Sequence, residues 1–451
     1  MGVMPVRKLL ITMSLPMIAS MLVQALYNIV DSVFVAQVSE NALTAVTLAF
    51  PIQNLMIAIG SGTAVGVNAL LSKSLGERDQ TNADRAANAG LLLTLPGFLL
   101  MLVFGLFFAT PFIAGQIDPV AVTDPTDIAA ITTGGTAYLQ VCCCFSFGLF
   151  FQIMCERLLQ STGRTTLSMI SQISGAVFNM ILDPILIFGL LGLPSLGVAG
   201  AAIATVIGQC CAATIGLVLN LRHNRDIHLS FKAVFRPHAA TIGRIYAVGA
   251  PSILMMSIGS VMTYMMNRIL AAFASAQAVF GVYFKLQSFF FMPLFGLNNG
   301  LIPIIAFNYG AKNKALVKDS MRFAMILAVS IMVVGTIIFH VVPTLLLSFF
   351  NASPEMVRIG VPALRIISLS FPIAAVCIVL GSTFQAFSKG VYSLIVSIMR
   401  QLVVLIPAAW LLSLSGEVTN IWWAFLFAEI MSLTVTLLCY RRLHRKIIST
   451  L

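Results

Sequence analysis

The chain has 451 residues, of which 59% are hydrophobic and only 9% are charged, and its formal net charge is +11. A soluble globular domain carries about 25% charged residues, so this composition excludes a water-soluble protein. Because a helix of about 20 apolar residues crosses a bilayer, the chain is long enough for about twelve such spans with their loops. The composition therefore predicts an all-α polytopic membrane protein.

Long apolar runs, separated by short polar breaks, predict where the twelve membrane-spanning helices lie. In chain order the runs cover residues 10–36, 43–72, 88–115, 128–156, 166–190, 196–221, 245–273, 278–308, 323–349, 357–387, 391–414 and 419–440. The longest break, residues 222–244, follows the sixth run and divides the chain into two halves of six spans each.

Lysine and arginine concentrate in alternate loops, beginning with Arg7 and Lys8 before the first run. The loop at 222–244 holds five of these cations, which are Arg222, Arg225, Lys232, Arg236 and Arg244. In the other set of loops Arg358 is the only cation. The positive-inside rule therefore predicts that both termini lie in the cytoplasm. This topology explains the net positive charge without any nucleic-acid partner.

The two halves share landmarks at a nearly constant offset. Pro16 corresponds to Pro251 and Gly76 to Gly310, at offsets of 235 and 234 residues. Since each half has six spans, both halves have the same orientation, which predicts a parallel pseudo-twofold repeat of two six-helix bundles. The predicted divisions are an N-terminal lobe, a cytoplasmic linker and a C-terminal lobe, at residues 1–221, 222–244 and 245–451. Such paired bundles are typical of transporters.

Only three acidic residues fall well within the predicted spans, and these are Asp31, Asp183 and Glu429. An ionisable residue at membrane depth is by default a candidate functional residue, because its burial is costly. Asn179 lies four residues before Asp183 and therefore on the same helix face. Pro184 removes one backbone donor, which leaves a carbonyl of the same helix without its usual partner.

Counting about 1.5 Å per residue from the span ends places four polar residues at similar depth in the outer half of the bilayer. They are Asp31, Tyr138, Asp183 and Thr205. Carboxylate, amide and hydroxyl oxygens can together hold Na⁺, and a buried carboxylate can hold a proton. The candidate Na⁺ ligands are Asp31, Asn179, Asp183 and Thr205. The alternative is that Asn179 and Asp183 only connect helices through hydrogen bonds.

The C-terminal half has a different charge pattern, because its predicted spans seven to eleven contain cations but no acid. The cations are Arg268, Lys285, Arg365 and Arg400. Arg268 is expected to extend to the outer interface. The other three either line a cavity or pair with neighbouring groups, and Glu429 could neutralise one of them. The candidate substrate-cavity residues are Glu429, Lys285, Asn267, Gln287 and Arg400.

Several motifs along the whole chain resemble the multidrug and toxic compound extrusion (MATE) family, most closely its DinF-type, MepA-like bacterial branch. They are Leu15-Pro16, Tyr27-Asn28-Ile29-Val30-Asp31, Gln160-Ser161-Thr162-Gly163, Phe178-Asn179-Met180-Ile181-Leu182-Asp183-Pro184 and Gly197-Val198-Ala199-Gly200-Ala201-Ala202-Ile203-Ala204-Thr205. The resemblance implies two six-helix lobes that export organic cations, driven by the inward flow of H⁺ or Na⁺. It also implies that Asp31, Asn179 and Asp183 form the cation-coupling site, together with Tyr138 and Thr205. The basic character of the second lobe departs from the family pattern and argues against a purely cationic substrate range.

We therefore expect a monomeric secondary antiporter, not an enzyme, in the bacterial cytoplasmic membrane. It exports amphipathic, mostly cationic compounds in exchange for H⁺ or Na⁺, and it needs no other cofactor. Its partners are small-molecule drugs and the lipid bilayer, with no nucleic acid. Two alternatives stay open, namely a flippase of lipid-linked precursors and an exporter of an anionic metabolite. An integral-membrane enzyme is disfavoured, because the five histidines show no catalytic spacing.

Overall fold

A computed structural model of the protein describes residues 2, 4–117, 124–273, 275–350 and 352–450. Every regular element in these ranges is helical. Within these ranges ten helices are long and apolar enough to cross a membrane, and the number is twelve when each of two bent helix pairs is counted as one span. The predicted all-helical, twelve-span plan is therefore confirmed.

The spans are numbered here in chain order. The first half contains span 1 (Val6–Val38), span 2 (Glu40–Gly76), span 3 (Gln80–Leu92 with Thr94–Phe107), span 4 (Pro125–Cys144 with Phe147–Ser161), span 5 (Thr165–Phe188) and span 6 (Gly197–His223). The second half contains span 7 (Ala239–Leu270), span 8 (Ala276–Gly310), span 9 (Lys314–Val341), span 10 (Pro354–Ser368 with Phe371–Ala386), span 11 (Gly390–Ser413) and span 12 (Val418–Lys446). Short helices lie at Ala109–Ala114, Phe231–Val234 and Pro343–Ser348.

The two halves share local irregularities as well as a span count. The fourth span of each half is bent by the same 47°, in span 4 between Cys144 and Phe147 and in span 10 between Ser368 and Phe371. The first span of each half is a long helix with an internal proline, Pro16 in span 1 and Pro251 in span 7. Such matched breaks are expected when both halves derive from one repeated unit.

The chain packs into two compact units that are not identical with its two halves. A C-terminal unit contains Met1–Ile18, Ser72–Asp79 and Tyr246–Leu451, and an N-terminal unit contains Ala19–Leu71 and Gln80–Ile245. Spans 1 and 2 are therefore each shared between the units. The lobes predicted from the repeat stay a prediction, because these units group residues by packing rather than by repeat.

In the N-terminal unit, small residues let spans 5 and 6 approach very closely. A Cβ on Gly175 would lie 2.9 Å from the carbonyl oxygen of Gly208, and one on Gly208 would lie 2.8 Å from that of Gly175. Ser171 reinforces the contact by donating its hydroxyl to the Ala212 carbonyl at 2.8 Å. Close packing through small residues is the usual way in which membrane helices associate. It sets the register that brings the polar residues of these two spans together.

In the C-terminal unit, the ends of spans 2 and 8 cross at the two glycines that the repeat pairs. A Cβ on Gly76 would overlap the backbone oxygen of Phe307, and a Cβ on Gly310 would overlap the backbone oxygen of Lys73. Neither backbone can yield without separating the helices. The Lys73 ammonium also lies 5.0 Å from the ring centroid of Tyr309 at this crossing.

We expect Gly310→Ala to lower the apparent melting temperature of the purified protein by several degrees. Its new methyl group would meet backbone, and overpacking of this kind costs about 1–3 kcal/mol. Gly281→Ala, on the same span, is the matched control, because a Cβ there meets nothing within 4 Å. Thermal denaturation of both variants in one detergent measures the difference. Equal melting temperatures would show that the crossing is not tight.

Candidate functional site

The carboxyl groups of Asp31 in span 1 and Asp183 in span 5 lie within hydrogen-bonding distance of each other. Asp183 is completely buried, with 0% of its surface exposed. Within the described part of the chain, the Oδ1 atom of each carboxyl group is buried and has no hydrogen-bond partner. Two carboxyl groups can share a hydrogen bond only if one carries a proton, and two ionised ones this close repel each other unless a cation lies between them. The pair is therefore suited to hold a proton or a small cation.

Asn179 connects this pair to span 6. With its amide nitrogen toward Asp183, Nδ2 donates to Asp183 Oδ2 at 3.1 Å. The amide oxygen then accepts from the Thr205 backbone N–H at 3.1 Å and from the Thr205 hydroxyl at 3.2 Å. We assign this orientation, because the opposite one sets the amide oxygen against a carboxylate oxygen. The close packing of Gly175 against Gly208 places Asn179 and Thr205 at this distance.

Tyr138 reaches the same cluster from span 4. Its side chain is buried, and its hydroxyl accepts a hydrogen bond from Gln53 Nε2 at 3.0 Å. Tyr138 lies close enough to Asp31 for the two groups to interact electrostatically. All five residues predicted for cation coupling therefore lie in one cluster of the N-terminal unit. Their proximity is a finding, and their role in coupling stays a prediction.

Sequence reasoning missed two members of this cluster, Tyr27 and Gln53. Tyr27 precedes Asp31 by one helical turn and interacts with both Asp31 and Asp183. The spacing of four residues on span 1 was a usable signal for it. Gln53 of span 2 carries no charge and follows no motif, so only its contact with Tyr138 identifies it. The residues of the cluster thus come from five spans, which are spans 1, 2, 4, 5 and 6.

In the C-terminal unit, Arg400 of span 11 pairs with Glu429 of span 12 at 3.2 Å. The other carboxylate oxygen, Glu429 Oε2, is buried and has no hydrogen-bond partner among the described residues. Arg400 lies in a π-helical segment, Met399–Leu405, just before Pro407. A proline lacks the N–H that an α-helix requires there, and a wider turn accommodates its ring. Glu429 therefore neutralises Arg400, one of the two arrangements that the sequence left open.

The other three residues predicted to line a substrate cavity have no contact in common with this ion pair among the described residues. Lys285 is exposed, with its ammonium 5.9 Å from the ring centroid of Phe350. The Asn267 carbonyl accepts a hydrogen bond from Gln277 at 2.8 Å, and Gln287 is partly exposed on span 8. Among the described residues, none of these three shares a hydrogen bond or an ion pair with Arg400 or Glu429.

Matched halves that give up to twelve candidate spans among the described residues, with a close carboxyl pair in one of them, are the architecture of a polytopic membrane transporter. The chain belongs to the MatE family, whose sequence profile matches residues 16–185 and 249–411. One match falls in each half, as the predicted repeat requires. The predicted resemblance is therefore confirmed.

Known relatives and structures agree with this assignment. The chain is 26% identical over 430 residues to the multidrug export protein MepA of Staphylococcus haemolyticus, covering 94% of this chain and 90% of that protein. It is 28% identical over 436 residues to MepA of Staphylococcus saprophyticus, covering 95% and 92%.

Solved structures support the fold alone, because their sequence identities are low. An outward-facing multidrug resistance MATE transporter of the MOP superfamily superimposes with a TM-score of 0.87 at 22% identity, covering 99% of this chain and 97% of that one. A MOP superfamily transporter from Pyrococcus furiosus, described as having a binding pocket of reverse polarity, gives a TM-score of 0.84 at 22% identity, covering 97% and 95%.

We expect Arg400→Leu and Glu429→Leu each to destabilise the protein more than the double variant does. Removing one partner leaves a buried charge uncompensated, which costs about 3–5 kcal/mol for a fully buried pair. The cost here is smaller, because 26% of the Arg400 side chain is exposed. Melting temperatures of the three variants test this, with Arg358→Leu as the control, since Arg358 pairs with Glu355 at the surface. A double variant less stable than either single one would contradict the expectation.

Proposed function

We propose that the protein is a secondary antiporter that exports amphipathic, mostly cationic compounds in exchange for H⁺ or Na⁺. The observation that carries this proposal is the Asp31–Asp183 carboxyl pair, with an unpartnered oxygen on each residue. An antiporter of cations needs an acidic site at which binding of the coupling ion and binding of the cationic substrate exclude each other. The names of the MepA relatives, multidrug export proteins, agree with this class of substrate.

Exchange follows if ion binding changes the relative stability of two conformations. When a proton or Na⁺ bridges the pair, its net charge changes from −2 to −1 and Asp31 is held against Asp183, and when the ion leaves, the two carboxylates repel each other. Span 1 transmits this change, because its residues up to Ile18 pack in one unit and Asp31 lies in the other. A ligand shifts such an equilibrium only by its differential affinity for the two states, and ion and drug favour opposite ones.

The two coupling ions place different demands on this site. A proton needs only a carboxyl oxygen, and one is available on each aspartate. Na⁺ needs several hard oxygen ligands, so the Asn179 amide would have to turn its oxygen from Thr205 toward the ion. The Thr205 hydroxyl would then be a ligand rather than only a donor. Thr205 is therefore the residue whose substitution distinguishes the two ions.

The proposed location is the cytoplasmic membrane of a bacterium, with both termini and the 222–244 loop in the cytoplasm. The alternation of cationic loops supports this topology. The proposed working unit is a monomer, because the complete cluster is formed by residues of one chain.

We expect Asp31→Asn and Asp183→Asn each to abolish efflux, because an amide does not take up a proton at physiological pH and has no negative charge to compensate a cation. Cells that express each variant are scored for accumulation of a fluorescent cationic dye, with insertion checked by the amount of protein in the membrane fraction and folding checked by size-exclusion chromatography of the purified protein. Asp319→Asn is the matched control, since Asp319 is exposed at the start of span 9. Normal efflux by both site variants would refute the assignment of this pair.

We expect Thr205→Val to weaken transport driven by Na⁺ but to leave transport driven by H⁺ largely intact. The assay is dye uptake into inverted membrane vesicles, with a proton gradient and no Na⁺ in one arm and a Na⁺ gradient at equal pH in the other. Thr205→Ser keeps the hydroxyl and serves as the conservative control. Equal effects of Thr205→Val in both arms would contradict a sodium-ligand role.

A second candidate function is favoured by one observation, the exposed ammonium of Lys285 in the C-terminal unit. An exposed cation suits an anionic metabolite or the phosphate of a lipid-linked precursor. The vesicle assay also decides this point. Failure of a cationic dye to enter under either gradient, followed by uptake of an anionic dye, would replace the cationic assignment with the anionic one.

A further inference from the structure

The linker between spans 6 and 7 is bound along one face of span 3. The contacts connect alternate linker residues to residues of span 3 that are spaced one turn apart. They are Gln80 Nε2 to the Asp226 carbonyl at 2.9 Å, the His228 N–H to Asp84 Oδ1 at 2.8 Å and the Ser230 N–H to Asn88 Oδ1 at 3.0 Å. From His228 to Ser230 the linker is non-helical and Ser230 has an extended backbone, so these two residues advance about 6.6 Å while one turn of span 3 advances about 6 Å, and the two periods match. The linker therefore runs parallel to span 3, and its path follows that helix toward the bilayer.

The depth that the linker reaches can be measured along span 3. This span ends at Phe107, and a hydrocarbon core of about 30 Å corresponds to about 20 helical residues. The sequence of the span is polar up to Asn88 and apolar from Ala89 onward, which places Asn88 at the cytoplasmic boundary of the hydrocarbon core. Since Ser230 binds Asn88, the next residue, Phe231, lies at the boundary between headgroups and acyl chains.

The segment that begins there has an aromatic pair whose rings are mostly exposed. Phe231 is 81% exposed and Phe235 is 55% exposed, and their ring centroids are 5.0 Å apart. Exposed in water, two adjacent phenylalanines would be unfavourable. Lys232 and Arg236 are interleaved with them, one residue after each ring. Aromatic rings flanked by cations are the composition of a segment that lies in a membrane interface with anionic lipids.

We propose that residues 231–236, the linker tip, insert into the interfacial region of the cytoplasmic leaflet and bind anionic lipid headgroups. The two rings replace contact with water by contact with the upper acyl chains, and the two cations pair with headgroup phosphates. Gln80, Asp84 and Asn88 hold the tip at this depth, so the anchored body is the N-terminal unit. The inference rests on the topology proposed above and on no property of the carboxyl site.

The first test measures the depth of position 231 by tryptophan fluorescence. Phe231→Trp is made in a Trp410→Phe/Trp423→Phe background, which retains the buried Trp422 as a constant reference. The intact protein is reconstituted in vesicles of phosphatidylcholine and phosphatidylglycerol, with or without bromine high on the acyl chains. We expect brominated lipid to quench most of the added fluorescence and aqueous iodide to quench little of it.

Arg225→Trp in the same background is the matched control, because Arg225 is exposed in the linker just before the first bond to span 3. It should show the opposite pattern, with strong quenching by iodide and weak quenching by brominated lipid. A tryptophan at position 231 that behaves like the one at position 225 would overturn the proposal. That result would also be expected if a soluble protein, rather than lipid, were the natural partner of the tip.

The second test addresses the charge preference. Bromine is placed either on phosphatidylglycerol or on phosphatidylcholine at the same total bromine content. We expect stronger quenching of Trp at position 231 from the anionic lipid, and Lys232→Gln/Arg236→Gln should abolish that difference. Equal quenching by both lipids with Lys232 and Arg236 in place would refute anionic-lipid binding. Both measurements use neither drug nor ion gradient, so a failure of the transport proposal would not affect them.

Discussion

Asp31 and Asp183 bring two carboxyl groups together inside the N-terminal unit, where Asp183 is completely buried and Asp31 is partly buried. Each carboxylate there is costly, and two that face each other repel unless a proton or a cation joins them. The surrounding residues supply only some of the hydrogen bonds that the two carboxyl groups can accept. Asn179 donates to Oδ2 of Asp183, but among the described residues Oδ1 of Asp31 and Oδ1 of Asp183 have no hydrogen-bond partner. In the proposed mechanism, occupancy of the site by an ion decides whether spans 1 and 5 attract or repel each other.

The helix packing around the pair keeps all but one of its partners fixed. Gly175 and Gly208 lock spans 5 and 6 together, so Asn179, Asp183 and Thr205 form one rigid group. Asp31 is different, because span 1 crosses from one compact unit to the other at Ile18, two residues after Pro16. A proline within a helix removes one backbone hydrogen bond and permits bending there. The carboxyl pair thus connects span 5, which packs closely against span 6, to span 1, which carries an internal proline.

Helical periodicity and membrane depth were sufficient to predict most of this site. Asn179 and Asp183 are related by one helical turn, and the depth count brought Tyr138 and Thr205 to the same level from other spans. Gln53 could not be found in this way, because a neutral amide in an apolar run has no distinctive pattern. The sequence also could not predict that spans 1 and 2 are each divided between the two compact units. This division depends on contacts between residues that are distant in sequence, such as Gly76 with Phe307. The π-helical turn at Met399–Leu405 had one signal, Pro407, but a proline alone does not specify how a helix accommodates it.

The two units treat a buried acid in opposite ways, and this contrast bears on the basic residues of the second half. Glu429 is held by Arg400, so the charge of each is compensated inside the protein. Asp31 and Asp183 have no such cation among their described contacts, so their compensation must come from outside. A salt bridge that is always closed stabilises a structure but does not respond to an ion gradient, whereas an acid pair does. Part of the positive charge of the second half is therefore structural, and it does not by itself make that half a site for anions. The acid pair that we propose to exchange an ion with solution lies in the N-terminal unit.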